Sequence, residues 1–189
     1  MKLLCGAFVL MMMQLLLGSA VYAEAEVAKA AMDPNEAHKV MESFVGKWTC
    51  TGTFRMTADG PADEMTGTAE NEMIFGGRFL LQSFEGPWMG QNFNGVGYTG
   101  FDNIKQEYVS IWLDSMGTGI MSMSGKYDAA TKSLNQSGAN SCPLTGEPDR
   151  KGRSEWKVVD ADHNTYSSYM TGADGNEFKA MELQYTRIA

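Results

Sequence analysis

Residues 76–128 decide the fold of this chain, and they run GGRFLLQSFEGPWMGQNFNGVGYTGFDNIKQEYVSIWLDSMGTGIMSMSGKYD. Apolar runs of strand length alternate there with turns rich in glycine and asparagine, and aromatic side chains recur throughout. Such alternation at regular spacing is typical of consecutive antiparallel strands. We interpret the stretch as about four strands from the middle of a β-barrel or β-sandwich.

The same pattern extends to both sides of this stretch. Gly86-Pro87 predicts a turn, and residues 138–149, with two prolines and two glycines, predict an irregular loop. Strands are predicted at residues 46–56, 65–75, 78–85, 91–101, 106–115, 118–127, 133–137, 150–159, 165–171 and 176–188. We therefore expect an all-β fold, a single antiparallel β-barrel of about ten strands. A closed barrel is favoured because it leaves no exposed strand edge.

A short helix is predicted before the first strand, over residues 34–45. Asp33 can cap it, Pro34 suits the first helical position, and Glu36 follows three residues after the cap. Gly46 is placed to end the helix in a left-handed conformation. One apolar face is formed at helical spacing by Ala37, Val40, Met41 and Phe44. This face needs a surface to bury against, so we expect the helix to cover one barrel end.

Residues 1–23 have the pattern of a cleaved secretory signal peptide. Lys2 gives a positive start, residues 3–17 are apolar apart from Gln14, and Val21-Tyr22-Ala23 lies where a signal peptidase cleaves. An uncleaved N-terminal anchor is the alternative. Residues 24–32 are then a linker and residues 33–189 a single barrel domain. Cleavage would place the mature protein in a secreted or periplasmic location.

The charge balance excludes several classes of partner. The chain has 189 residues and a formal net charge of -8. Lys2 is the only charged residue before Glu24, so the mature chain carries -9. An acidic chain repels phosphate backbones, and no nucleic-acid partner is expected. No basic amphipathic stretch occurs, so no stable membrane insertion is expected after signal cleavage.

Cys50 and Cys142 remain after signal cleavage. In an oxidising compartment an even pair of cysteines can close a disulfide, and two cysteines allow only one intramolecular pairing. The sequence therefore predicts a Cys50–Cys142 bridge, which would fasten the 138–149 loop to the first strand. Two independent thiols are the alternative.

Motifs for nucleotide or metal chemistry are weak. Residues 95–100 match G-x-G-x-x-G, but another strand follows instead of the helix that a dinucleotide site needs. We therefore interpret the glycines as positions where the strand bends sharply or where another group approaches closely. Asp160, Asp162 and Asn164 imitate a calcium loop without its glycine and glutamate, and we interpret them as a solvated hairpin. His38 and His163 are the two imidazoles, and they lack the spacing of a zinc site. No catalytic residue, metal or cofactor is predicted.

Polar residues within apolar strands are more informative. Arg78 follows a double glycine and shares a strand face with Gln82. On the strand at residues 106–115, one face carries Tyr108, Ser110, Trp112 and Asp114, and the other carries Val109, Ile111 and Leu113. If the Tyr108 face points inward, the interior resembles a small-molecule pocket, with Met121 and Met123 as adaptable walls. The alternative is an Arg78–Asp114 ion pair within an ordinary core.

Several blocks resemble one family, the bacterial domain of unknown function family 1579. They are residues 76–80, 97–103, 108–116 and 125–128, together with the helix that carries His38 and the Gly46-Lys47-Trp48 start of the first strand. The resemblance covers roughly residues 38–187 and implies a calycin-like barrel of about ten strands. Gly-x-Trp behind a short helix also resembles the lipocalin superfamily. The family pattern does not require Cys50 or Cys142, and it implies no established activity.

Three hypotheses follow. The first is an exported, non-enzymatic barrel that binds a small apolar or amphipathic ligand, with Arg78 meeting an anionic head group. Its candidate ligand-binding residues are Arg78, Phe79, Tyr98, Trp112, Asp114 and Met121. The second is a structural or interaction module of the cell envelope, with a filled core and residues 138–149 as its working surface. The third is an enzyme using Arg78, Asp114 or His163, which no spacing supports.

Overall fold

The computed structural model describes residues 29–142, 145–172 and 174–188. The predicted signal peptide and residues 24–28 of the predicted linker lie outside the described residues. Residues 29–34 belong to a unit of their own, with one helical turn in which the N–H of Asp33 donates to the carbonyl of Lys29 (3.0 Å). The unit that begins at Asn35 contains the barrel.

One helix, α1 (Glu36–Glu42), precedes ten strands that close into an antiparallel barrel. Each strand pairs with its neighbours in the chain, and β1 pairs with β10 to complete the ring. The strands are β1 (Gly46–Phe54), β2 (Asp63–Ile74), β3 (Phe79–Trp88), β4 (Gln91–Asp102), β5 (Glu107–Asp114), β6 (Met121–Asp128), β7 (Ser133–Cys142), β8 (Glu147–Val158), β9 (His163–Thr171) and β10 (Glu177–Arg187). The prediction of a barrel of about ten strands behind a short helix is confirmed.

The turn between β3 and β4 lies later than predicted. Gly86 and Pro87 belong to β3, and Pro87 pairs with Asn92. The chain reverses at Met89 and Gly90, which have φ values of 50° and 75°. Positive φ at both central residues gives a two-residue turn whose twist matches the flanking strands. The glycine therefore fixes the turn, and the prediction at Gly86-Pro87 was wrong.

Within the predicted irregular loop of residues 138–149, the described residues 138–142 and 147–149 are strand, which corrects the prediction. β7 continues to Cys142 and β8 begins at Glu147, with Asn140 paired to Arg150. A register shift between Asn140 and Cys142 absorbs the irregularity near the hairpin tip. Cross-strand pairing outweighs the weak strand propensity of this segment.

Helix α1 begins two residues later than predicted, and Asn35 caps it instead of Asp33. The Asn35 side chain accepts from the N–H of Ala37 (2.9 Å), and Nδ1 of His38 accepts from the N–H of Asn35 (3.0 Å). This is a capping box with histidine in the place that glutamate usually takes. The helix ends at Ser43 in a right-handed conformation, and Gly46 begins β1, so Gly46 is not the helix terminator.

The apolar face of α1 closes one end of the barrel, which we call the plugged end. Met41 of α1 and Phe44, which lies two residues after the helix, are at most 1% exposed. They pack on inward-facing side chains of β3, β5, β7 and β8: Leu80, Tyr108, Leu134 and Trp156. The Phe44 ring stacks on the Trp156 ring at 4.0 Å between centroids. The carbonyl of Phe44 accepts from Trp48 Nε1 (3.1 Å) and Asn71 Nδ2 (2.9 Å). The predicted role of the helix as a barrel cover is confirmed.

Acidification is expected to destabilise the protein through His38. Burial, and then the nearby Arg78 guanidinium, lower the pKa of His38 below its ordinary 6.5. Above that pH the ring is neutral in both the folded and unfolded states, and the cap is intact. As pH falls through 6.5 the unfolded chain binds the proton first, so the free energy of unfolding falls.

Urea unfolding at about pH 7.5 and about pH 5.5 measures this loss. His38→Gln is the matched control, because glutamine accepts the cap N–H without titrating near neutrality. We expect the variant to lose less stability on acidification than the wild type. Equal losses in the two proteins would assign the acid sensitivity to other groups.

Inward-facing glycines lie where neighbouring strands approach closely. A Cβ at Gly52 on β1 would overlap the carbonyl oxygen of Glu182 on β10, and a Cβ at Gly125 on β6 would overlap that of Asn135 on β7. Glycine permits such an approach and lets the strand bend there. These positions help the strands to curve into a closed ring.

Candidate functional site at the barrel mouth

The end opposite α1, which we call the mouth, is filled on one side and half-open on the other. On the β1–β4 side, Phe54, Met65 and Phe93 are at most 9% exposed. On the β5–β8 side, the inward-facing residues nearest the mouth are only half-buried: Trp112, Asp114, Met121, Asn140 and Cys142. The accessible part of the interior therefore lies beside β5–β8.

A cleft of about 330 Å³ opens at this side of the mouth. It lies between the β5–β6 connection and the β7–β8 hairpin, with Trp112, Met121 and Cys142 among the side chains that line it. Asp114 and Asn140 add polar groups to the wall. A mainly apolar wall with a few polar groups is typical of sites for small molecules.

The Trp112 ring packs against glycines of the neighbouring strand. A Cβ at Gly95 would overlap the Trp112 ring, and a Cβ at Gly97 would lie 2.8 Å from it. Both glycines are on β4, which pairs with β5 through Gly97 and Trp112. The glycines of the G-x-G-x-x-G match thus make room for an interior ring, and Gly100 does the same for the Phe79 ring on the outside. The interpretation of these glycines as close-approach positions is confirmed.

Asp114 is held by local hydrogen bonds. Its Oδ2 accepts from Trp112 Nε1 (3.1 Å), and its Oδ1 accepts from the N–H of Met116 (2.9 Å). These bonds fix the carboxylate at the mouth rim and orient the Trp112 ring. Asp114 therefore acts first as a positioning group for Trp112.

Arg150 is the cation of this region, and the sequence interpretation missed it. It lies on the inward face of β8 with Ser154 and Trp156, and its side chain is 9% exposed. Its Nε donates to the carbonyl of Thr171 (3.1 Å), and its Nη1 lies 3.5 Å from Cys142 Sγ. No other hydrogen bond joins its guanidinium to the described residues. The period of two along β8 was the signal that could have identified it.

Further from the mouth than Trp112, Asp114 and Met121, a band of polar side chains crosses the barrel interior. The hydroxyl of Thr99 bonds to Gln82 Oε1 (3.1 Å) and Ser110 Oγ (2.8 Å), and Ser110 donates to Gln136 Oε1 (2.9 Å). These bonds link β3, β4, β5 and β7. The Tyr108–Asp114 face of β5 therefore points inward, which settles the choice that the sequence left open.

Phe79 and Tyr98 do not line the interior, which corrects their predicted position. Both face outward, with 39% and 37% of their surface exposed. They alternate with the inward-facing Leu80 and Thr99, which are nearly fully buried. The period of two fixes which residues share a face but not which face is inside.

Arg78 is also misplaced in the prediction. It lies in the β2–β3 turn at the plugged end, where its Nη1 donates to the carbonyl of Phe75 (3.1 Å). Asp114 of β5 pairs with Gly95 of β4, which in turn pairs with Phe84 of β3. Phe84 is six residues along the chain from Arg78, so Asp114 and Arg78 lie at different levels of the barrel. Six residues span roughly 20 Å in a strand, so the Arg78–Asp114 ion pair, which was the alternative to a pocket, is not formed.

His163 lies at the plugged end as well. Its Nδ1 is 2.8 Å from Asp160 Oδ1, and both side chains are more than half exposed. The structure therefore does not bring Asp114 together with Arg78 or His163, the three residues named for an enzyme. Among residues 29–142, 145–172 and 174–188, no group of three metal-ligating side chains occurs.

The predicted Cys50–Cys142 disulfide is not formed, and neither cysteine is part of a disulfide. Cys50 is on β1 and Cys142 on β7, which is four strands away in the shorter direction around the ring. Strands about 4.8 Å apart place the two residues beyond the roughly 7 Å between Cα atoms that a bridge allows. Burial raises the pKa of the Cys50 thiol to about 12, so this thiol stays protonated in the core.

Within the described part of the chain, no helix is long and apolar enough to cross a membrane.

The comparison with curated proteins gives no match. Two solved structures are similar in fold. Rv2717c from M. tuberculosis has a TM-score of 0.61 and 15% identity, over 83% of this chain and 100% of that chain. The S-type phycobiliprotein lyase CPES from Guillardia theta has a TM-score of 0.55 and 10% identity, over 82% and 99%.

These two likenesses concern the fold, since both identities are low. The family model of DUF1579, described as a protein of unknown function, matches residues 33–187. That range includes α1 and all ten strands. The chain therefore belongs to the DUF1579 family of proteins of unknown function.

Proposed function

We propose that this protein is exported and that the mouth of its barrel binds a small amphipathic molecule. The apolar body of the ligand would lie against Trp112 and Met121, and a polar or anionic group would point towards Arg150. The observation that carries the proposal is the half-open interior beside β5–β8, where a cleft of about 330 Å³ reaches the inward face.

Arg150 supports an anionic group on the ligand. A guanidinium has five N–H donors in a planar fork, which suits carboxylates and sulfonates. The nearest acidic group to it, the Glu147 carboxylate, lies 3.6 Å from Nε and is half exposed, so this pair is weak. A ligand anion would therefore pair with the guanidinium of Arg150, whose side chain is 91% buried.

Export rests on the sequence of residues 1–23. A positive start, an apolar run and a small-residue exit are the features that secretory signals share. The mass of the purified protein tests it, since cleavage after Ala23 leaves Glu24 at the N-terminus. A mature protein that retains residues 1–23 would contradict it.

Ligand binding is tested first by native mass spectrometry of the exported protein before and after organic extraction. An extra mass that disappears on extraction supports the proposal. Two fluorescent probes then test the mouth: neutral N-phenyl-1-naphthylamine, and 1-anilinonaphthalene-8-sulfonate, which adds an anionic group to nearly the same body.

We expect both probes to bind, with Trp112→Ala weakening each at least about tenfold, or about 1.4 kcal/mol. Arg150→Met should weaken only the sulfonate probe. Tyr169→Ala is the matched control, because it removes an aromatic ring from the outer face of β9. If no mass is lost and neither probe binds, the packed interaction module is favoured and the β7–β8 hairpin becomes its candidate surface.

A further inference from the structure

The outer face of β3–β5 is apolar over a continuous area. Three neighbouring rows of outward-facing residues run across these strands, each row made of residues that pair across β3, β4 and β5. The rows are Phe79, Gly100 and Val109; Leu81, Tyr98 and Ile111; and Val96 and Leu113. Ile74 extends the first of these rows onto β2. We call these nine residues the outer apolar face.

The larger side chains of the outer apolar face are accessible to solvent. Five of them are 37–39% exposed: Phe79, Val96, Tyr98, Ile111 and Leu113. Phe75, in the adjoining turn, is 73% exposed, and its ring meets the Phe79 ring edge-on at 6.3 Å. Gly100 has no side chain, and the Phe79 ring lies over it. A contiguous apolar area of this kind on a water-facing sheet marks an interaction site.

Other outer faces of the same barrel are polar. Outward positions on β1 carry lysine and threonines, those on β8 carry lysines, Arg153 and Glu155, and those on β10 carry Lys179, Glu182 and Gln184. Ion pairs cover this polar side, for example Arg153 with Glu177 at 2.7 Å. The apolar character is therefore specific to β3–β5 and does not reflect the composition of the whole barrel.

We propose that the outer apolar face binds the same face of a second copy of this chain, forming a two-fold symmetric dimer. Two copies with a net charge of -8 each repel one another, so they approach with least repulsion at a surface that carries no charge. A two-fold dimer uses the same patch on both copies. All nine positions of the face are uncharged. Five of the ten strands, β2 to β6, span an arc of roughly 24 Å around half of the ring at about 4.8 Å per strand. An interface burying about 800 Å² per partner would have a side of roughly 28 Å, so it takes in the polar borders as well as the apolar face.

Charge at the borders selects the orientation of the two copies. On the row through Leu81, Tyr98 and Ile111, the β2 border carries Glu72 and the β6 border carries Ser122. A two-fold axis parallel to β4 places Glu72 of one copy opposite Ser122 of the other. An axis across the strands through this row would place Glu72 opposite Glu72, which is repulsive. The first arrangement also sets Phe79 and Leu81 against the aliphatic side chains of β5.

Sedimentation equilibrium of the purified full-length or naturally processed protein tests this proposal. We expect twice the chain mass for the wild type, and an at least tenfold larger dissociation constant for Ile111→Asp, equivalent to about 1.4 kcal/mol. Val96→Asp, on the neighbouring strand, provides a second variant if the first does not fold. Ala139→Asp is the matched control, because it adds the same charge to an exposed outward position on β7.

Circular dichroism shows whether each variant keeps the wild-type fold. Dissociation of folded Ile111→Asp or Val96→Asp, with a dimeric Ala139→Asp, supports the proposal. A wild-type protein that stays monomeric at high micromolar concentration overturns it. A dimer that survives both aspartates also overturns it, since the interface then lies elsewhere. Neither result depends on whether the mouth binds a ligand.

Discussion

Gly52→Ala is expected to lower the free energy of unfolding by about 3 kcal/mol, the upper end of what overpacking usually costs. The added Cβ would overlap the carbonyl oxygen of Glu182 and would lie 2.9 Å from the Cα of Leu183. Both atoms are backbone of β10, so no side-chain rotation relieves the overlap. The β1–β10 pairing, which closes the barrel, would have to separate locally. Urea unfolding of the variant measures the loss.

Gly152→Ala is the matched control for this prediction. Gly152 is also an inward-facing strand glycine, on β8, but its Cβ would lie 3.0 Å from the nearest atom, the carbonyl oxygen of Tyr169. A shift of a few tenths of an ångström accommodates it, so we expect a loss below about 1 kcal/mol. Similar losses for the two variants would show that glycine is needed for its flexibility and not for the close approach at Gly52.

The second large effect is a coupling between Gly95 and Trp112. Gly95→Ala should destabilise the wild type by about 2 kcal/mol, because the three atoms nearest to the new Cβ all belong to the Trp112 ring. In a Trp112→Ala background the ring is gone, and the same substitution should be nearly neutral. The double-mutant cycle should therefore give an interaction energy of about 2 kcal/mol.

Gly125→Ala is the control for the cycle. Its Cβ would overlap the carbonyl oxygen of Asn135, and Gly125 is four residues along β6 from Met121, the partner of Trp112. Four residues span roughly 13 Å, so its effect should add to that of Trp112→Ala. If Gly95→Ala is equally damaging with and without the Trp112 ring, the ring does not occupy the space that Gly95 leaves open.

The alternation of residues along each strand was enough to predict the barrel, but it did not say which face is inside. The Tyr108–Asp114 face of β5 points inward, as one of the two alternatives required, whereas Phe79 and Tyr98 turned out to face solvent. Apolar residues occupy both faces of β3, β4 and β5. The hydrophobic pattern therefore carries no inside–outside contrast on these strands.

The ionic and thiol predictions failed because they needed distances around and along the ring. The glycines and apolar residues around Arg78 favour a place inside the barrel, yet Arg78 lies in a turn at the plugged end. Arg150 lies at the mouth, in a segment whose prolines and glycines obscured the strand. The cysteine count permitted one bridge, but four strand spacings separate β1 from β7. Sequence separation gives no measure of such distances.

The cap of α1 shows a local ambiguity of another kind. Asp33, Asn35 and His38 offer more than one way to start a helix, and composition alone favoured Asp33 followed by Pro34. The structure uses Asn35, because His38 then reaches back to the N–H of Asn35 while its ring meets the Phe101 ring edge-on at 5.8 Å. A tertiary contact therefore decides between caps of similar intrinsic quality.

The ring topology also orders the events of folding. Within the described barrel, nine of the ten strand pairings join consecutive strands, and the remaining one sets Trp48 of β1 beside Arg187 of β10. Local hairpins close short loops and form quickly, whereas the last pairing must bring together nearly the two ends of the domain. Until that seam closes, the chain presents two open strand edges. We therefore expect association between chains to compete with folding until that seam closes.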